Sequence, residues 1–335
     1  MGGPFRVALA LTLSLFLADA AVAAEVKIAT LAPEGTDWMT LMRAGAEEVA
    51  QKTQKRVQFK FYPGGVMGND RAVLQKIRVG QLQGGAVTTG SLAKFYPDVE
   101  IYKLPLKFRS FQEVDYVRKR MDPLILEGLE KGGMVSFGIV EGGFAYVMTN
   151  KPVRTLDDLR SCKVWLPEDD HIALETLKLL GIDPIPLSLG DVRAGLQTGL
   201  IDTVASPPIG AIALQWHTQV KYLVNLPFLY ISGTLAVNRK SFLKWSTDDQ
   251  KIVRDVMGRV SQQMDHQNRD NNIKALEALR RQGCQFVDLT PETEQVLQVK
   301  ATEVAGRLIE DGVLSRQIVD LLERYLKEYR SQTGS

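Results

Sequence analysis

Cysteine is almost missing from this chain: Cys162 and Cys284 are the only two in 335 residues. That count excludes a disulfide scaffold and a four-cysteine zinc site. Histidine is nearly as scarce, with His171, His217 and His266 scattered along the sequence. There is no GxSxG, no GxGxxG, no GxxxxGK(S/T) and no HExxH. Nothing in the sequence assembles a nucleophile, a base and an oxyanion hole, so no catalytic residue, cofactor or metal site is expected. An excess of charge of one sign is missing too. Lys plus Arg is 41 against 39 Asp plus Glu, a formal net charge of +2, which leaves no electrostatic footprint for nucleic acid. Beyond the first two dozen residues no apolar run reaches the roughly 20 residues of a membrane helix.

The N-terminus follows a different logic from the rest. A basic start at Arg6 precedes the apolar run VALALTLSLFLA (7–18), and small residues follow in AAVAA (20–24). This is the three-part layout of a secretory signal. The run is too short to span a bilayer comfortably. Cleavage is expected near Ala24, with an uncleaved anchor as the other reading. A periplasmic location follows for the exported chain.

What remains has ordinary globular composition, 45% apolar and 24% charged. Its length calls for two lobes in preference to one core. VKIAT (26–30) reads as a strand, followed by a helix from about Asp37 with Thr36 as its N-cap. VQFKFY (57–62) is a second strand, and Asn69 can cap a helix running to Gly80. AVTTG (86–90), MVSFGIV (134–140), AYVMTN (145–150) and KVWLP (163–167) are further strands, and 169–180 a helix. The alternation argues for parallel sheets flanked by helices. One segment departs from it. From about Thr247 to Gln282 there is no Pro, and Ile252, Val256, Val260, Met264, Ile273, Leu276 and Leu279 form a helical stripe. Such a helix would be roughly 50 Å long, enough to bridge two lobes.

Three residual candidates for chemistry have plainer readings. His171 and Glu175, four apart on a helix, can serve as two metal ligands or simply as a solvated face. Glu168, Asp169 and Asp170 complement the dipole at a helix start. Cys162 and Cys284 either pair in an oxidising compartment or stay as two buried thiols.

The motifs in order resemble one family. APEGTDW (32–38), YPGGVMGND (62–70), RAVLQKIRVGQL (71–82), TLDDLRSCKVWLP (155–167), GIDPIPLSLGDVRAGLQTGLID (181–202) and QVKYL (219–223) are similar to the substrate-binding proteins of TRAP transporters, the DctP type. The likeness covers about 25–330. It implies an α/β, two-lobed periplasmic solute-binding protein fold with a long helix spanning both lobes. The implied domains are a signal peptide at 1–24, lobe I at 25–142 plus 231–270, and lobe II at 143–230 plus 271–330. It implies hinge closure on a small-molecule ligand, no chemistry, and delivery to the small and large TRAP membrane subunits.

This chain departs from the family at the ligand positions. Typical members pair the substrate carboxylate with an arginine in a K-I-R-V-P pattern; here KVWLP puts Trp165 there. A second arginine position holds Ala145. The D-G-Q-E-N-P pattern becomes DTVASP, so Ser206 stands at the Asn position and Val204 and Ala205 at the Gln and Glu positions. Leu189 replaces a stacking Phe, Phe228 takes a polar ligand position, and Glu168 stands beside the cleft, where it would repel an anion. A carboxylate left unpaired in such a site costs several kcal/mol, whereas each buried CH₂ contributes about 0.8 kcal/mol. The expected ligand is therefore hydrophobic or weakly polar: a lipid, a sterol- or hopanoid-like molecule, or an aromatic compound. Trp38 and Trp165 would form walls and Ser206 one polar contact. Arg71 either meets an anionic headgroup or faces solvent. A conventional organic-acid binder with a rebuilt site, a filled cleft, and a carrier or sensor of the same fold remain open.

Overall fold

A computed structural model of the chain describes residues 24–168 and 170–334. The expected secretory segment, 1–24, lies outside the described residues except for Ala24. Eleven strands run through the described part: β1 (Ala24–Thr30), β2 (Val57–Tyr62), β3 (Gly84–Thr88), β4 (Met134–Ser136), β5 (Val140–Thr149), β6 (Trp165–Pro167), β7 (Ile185–Leu187), β8 (Thr203–Ser206), β9 (Tyr222–Val224), β10 (Leu229–Asn238) and β11 (Gln285–Val287). The α-helices are α1 (Asp37–Lys52), α2 (Asp70–Arg78), α3 (Phe111–Lys131), α4 (Leu156–Arg160), α5 (His171–Leu179), α6 (Val192–Thr198), α7 (Pro208–Ala213), α8 (Arg239–Phe242), α9 (Thr247–Arg281), α10 (Pro291–Glu310) and α11 (Arg316–Thr333).

The main sheet has two halves. In the first, β1 lies between β2 and β3, both parallel to it, and β10 pairs antiparallel with β3, β4 and β5. In the second, β5 pairs antiparallel with β8 and β9, and β9 pairs parallel with β11. The parallel sheets expected from the sequence are thus corrected. The two ten-residue strands β5 and β10 cross between the halves and run against their neighbours, which makes the sheet mixed. The segment MVSFGIV is also not one strand. Gly138 sits at φ +152°, and the chain breaks there before β5 begins.

Where β5 and β10 pass each other, the register shifts between Ile231 and Ser232. Ile231 faces Gly143 and Ser232 faces Glu141, so Gly142 is the extra residue of a bulge, which bends the ladder. A Cβ on Gly142 would come 2.9 Å from the Ile231 carbonyl, and Gly143 has φ +107°. The EGG triplet is therefore what permits the two strands to turn from one half into the other.

Helix α9 matches its expected span. Ser246 caps it, Asp248 and Asp249 open it, and Arg280 and Arg281 close it, as the helix dipole favours. Val253, Val256, Met257, Val260 and Met264 pack on the first half, and Leu276 and Leu279 on the second. Ile273 is not on the buried stripe: it is 48% exposed. At the bend the inward positions are Asn268 and Asn272, whose amides donate to the Glu141 and Gly142 carbonyls at 2.7 and 2.8 Å. The bulge leaves strand carbonyls without ladder partners, and amides can satisfy them where isoleucine cannot. On the other face α10 covers both halves, with Leu297 and Ala301 over the second and Val304, Ala305 and Leu308 over the first. The last helix, α11, packs on α3 of the first half, with Tyr116 and Tyr329 ring centroids 5.3 Å apart and Arg330 2.7 Å from Glu113. This differs from the expected grouping of 271–330 with the second lobe.

Candidate functional site

The two halves meet along a boundary built by α2 and the 3₁₀ segment Pro97–Lys103 on one side and the β6–α5 junction on the other. Lys103 Nζ is 2.8 Å from Asp170 Oδ1 and 3.0 Å from Glu100 Oε1. Asp170 also caps α5, accepting from the Ala173 amide at 2.9 Å. Burial works against a charge on Lys103, but the Asp170 and Glu100 carboxylates outweigh it and hold the ammonium above its usual range. Burial in turn pushes the Glu100 carboxyl up. One residue into α5, Ile172 is fully buried in the same apolar cluster as α2 and α3.

A second bridge lies at the start of α2. The Asn69 side chain caps the helix through Oδ1, and its amide donates to Glu168 Oε2 at 3.1 Å. Beside it, Asp70 accepts from the Thr88 amide, the Thr88 hydroxyl and the Ser91 hydroxyl at 2.7 to 3.1 Å. Burial pushes the Asp70 carboxyl up, and those three bonds only partly offset it.

Behind the boundary, a polar network locks the crossing strands to the helices. Glu141, fully buried on β5, accepts from Arg269 of α9 at 2.6 Å and from the Tyr230 hydroxyl at 3.1 Å. Arg118 of α3 donates to Asp265 at 2.8 Å and to Tyr230 at 3.1 Å. The Glu141 amide donates to Asp265, and Arg269 also holds Asp115 at 2.8 Å. Burial raises the Glu141 carboxyl, with Arg269 pulling the other way.

The residues expected from the sequence fall in several places. Trp165 is a core residue of the second half. Its ring packs edge-on against Trp216 at 5.2 Å, and its Nε1 donates to the Leu187 carbonyl at 3.0 Å. Leu189 packs at the edge of the same cluster. Ala145 is fully buried on β5, and its carbonyl receives the Phe228 amide at 2.9 Å. The Phe228 ring belongs to a different cluster, on the opposite face of the sheet. Ser206 is buried opposite Tyr146, its hydroxyl donating to the Pro207 carbonyl at 2.9 Å. Trp38, half-buried at the start of α1, approaches Gly233 of β10. Arg71 is exposed on α2 and Glu168 is exposed at the boundary. The structure thus joins Trp165 with Leu189, and Ala145 with Phe228, but does not gather all eight around one point.

Lys103, Glu100, Glu141, Arg118 and Arg269 were not singled out from the sequence. Their partners stand up to about 150 residues away, as Asp265 does from Arg118, and no local spacing announces them. The EGG triplet was the one signal available for the bend. His171 is exposed and Glu175 is 2.8 Å from Lys178, so the histidine and carboxylate are not set up as a ligand pair. Cys162 and Cys284 are free thiols in clusters on opposite faces of the sheet, and burial raises both.

On the face of the second half covered by α4, α5 and α10 there is an apolar cavity of about 80 Å³. Val204, Ala205 and Phe228 are among its lining residues.

Comparison with known proteins agrees with this architecture. The family described as bacterial extracellular solute-binding protein, family 7 (DctP) matches residues 28–311. The C4-dicarboxylate-binding periplasmic protein DctP of Rhodobacter capsulatus is 25% identical over 78% of this chain and 81% of its own length. The uncharacterised protein YiiZ of Salmonella typhimurium is 26% identical over 62% of this chain, and the match spans 64% of its own length, just under two thirds. A TRAP periplasmic solute-binding protein from Sulfitobacter sp. NAS-14.1, solved with bound β-D-galacturonate, superposes with a TM-score of 0.81 at 18% identity, covering 91% of this chain and all of that one.

Proposed function

The chain belongs to the bacterial extracellular solute-binding proteins of family 7, which are transporter components and not enzymes, and from that premise we propose the nature of its solute and its partners. It serves a TRAP-type transporter in the periplasm. It takes a hydrophobic or weakly polar solute between its two lobes and hands it to a small and a large membrane subunit. The lobes comprise 25–142 with 231–270 and 143–230 with 271–330, except that α11 rides with the first. Closure bends the crossing strands at the EGG bulge while α9 spans both lobes. Trp38, Arg71 and Glu168 border the solute, Phe228 lines the apolar cavity beside it, and Ala145, Leu189, Ser206 and Trp165 support the wall from within the core.

One observation carries the apolar reading. Lys103, the ammonium buried at the boundary, already holds two carboxylates, and Glu168 and Asp70 stand on the same boundary. A ligand carboxylate would have to displace Asp170 from Lys103, turn to Arg71 at the start of α2, or remain unpaired at a cost of several kcal/mol. Apolar groups meet no such cost at positions occupied by Ala145, Val204, Ala205 and Phe228. The competing ligand class is an acid of the kind named for the relatives, a C4-dicarboxylate or a galacturonate, with Arg71 to receive it.

Mass spectrometry of material extracted from the purified protein tests this. An apolar or neutral molecule at near one per chain is the expected result. A dicarboxylate or sugar acid would overturn the ligand reading and leave the transport role standing.

A further inference from the structure

The cavity under α5 is lined by residues of the second half, and its roof residue Ala173 donates its amide at 2.9 Å to Asp170, the partner of Lys103 at the boundary. Its wall is made of Val, Leu, Ala, Phe and Thr side chains, with no charged residue. The four threonine hydroxyls are all engaged elsewhere. Thr176 donates to the Ile172 carbonyl at 2.6 Å, and Thr203 to Asp202 at 2.9 Å. Thr155 accepts the Asp158 amide at 3.1 Å, and Thr293 pairs with Thr290 at 3.0 Å. With each hydroxyl already in one bond and the rest of the wall apolar, the space favours an apolar occupant over water. Its volume is about half that of the ~150 Å³ apolar cavity that takes up benzene or xenon. That suits a xenon atom or a short branched alkyl group.

Two relationships tie this space to ligand capture. Ala205 faces Val147 and Leu229 faces Ala145, so these lining residues reach the crossing strands. The roof of the cavity, Ala173, Thr176 and Leu177, is α5, the helix whose first turn is held by Lys103 and by the burial of Ile172 in the other half.

We propose that this cavity is a subsite that receives a branched alkyl end of the captured solute, roofed by α5 when the halves close. The proposal rests on the apolar reading of the solute. Burial of about two methylenes there corresponds to roughly a tenfold gain in affinity.

The test uses xenon and 3-methylbutan-1-ol on the full chain and on two filled variants, Ala173→Leu and Ala205→Val. Crystals under xenon pressure should show the gas between α5 and the sheet in the parent and not in either variant. The alcohol should raise the parent's melting temperature, with roughly tenfold weaker binding in the filled variants. No xenon in the parent cavity, or equal response to the alcohol in all three proteins, would overturn the subsite alone. An extract containing only polar acids, with xenon still in the cavity, would overturn the reading of the solute and with it this role for the cavity.

Discussion

Lys103 and Asp170 stand 2.8 Å apart, and they come from opposite halves of the molecule. The contact joins the 3₁₀ segment before α3 to the N-cap of α5, so it couples the meeting of the two halves to the position of a helix.

Asp170→Asn removes the charge and keeps the cap, because asparagine caps a helix as well as aspartate does. Hydrogen bonds to charged groups contribute about 1.5–3 kcal/mol, and the loss falls on closure. Small-angle scattering of the ligand-free variant should give a larger radius of gyration than the parent. Amide exchange should speed up around 100–103 and 170–173. Identical scattering and exchange would mean that the pair does not hold the halves together.

Trp165 sits against Trp216 with its indole nitrogen already bonded. Trp165→Ala should therefore cost about 3–5 kcal/mol in urea unfolding, as for other large-to-small core changes. Trp165→Arg should be destabilised at least as much, since it buries a guanidinium among apolar side chains, and should gain no affinity for succinate. A stable arginine variant that binds succinate would show that position 165 faces the solute directly.

Glu48 of α1 lies 2.9 Å from both Arg259 of α9 and Lys52. Their hydrogen bonds, Arg259 first, lower its carboxyl from the ordinary 4.5 to about 2. A lowered carboxylate adds stability that is fully present above its unfolded value and is lost as pH falls through the folded one. Glu48→Gln should thus be less stable than the parent at pH 7, and the two should converge as pH drops from 4.5 towards 2. A difference that persists unchanged to pH 2 would contradict the assignment.

Local chemistry made much of the framework legible. Thr36 and Asn69 cap the helices they were expected to cap, and α9 runs over the span marked by its lack of proline. These features depend on neighbours within a turn of helix, which the sequence states directly. Order and spacing of short motifs were enough for the family as well. The candidate site was far less legible. Trp165 aligns with a ligand position, yet its ring is buried against Trp216, because which face of a short strand meets the core depends on what packs there.

The sequence alone determined α1, α2, α5 and the long bridging helix α9, about half of the strands, and the membership of a two-lobed binding family. Only the tertiary structure decided that the sheet is mixed, that asparagines replace the apolar stripe at the bend, that Lys103 is committed to two carboxylates, and that an apolar cavity lies under α5. The first set rests on periodicity and capping, interactions between residues a few positions apart. The second rests on charge neutralisation and void space, which exist only once segments up to about 150 residues distant are brought together.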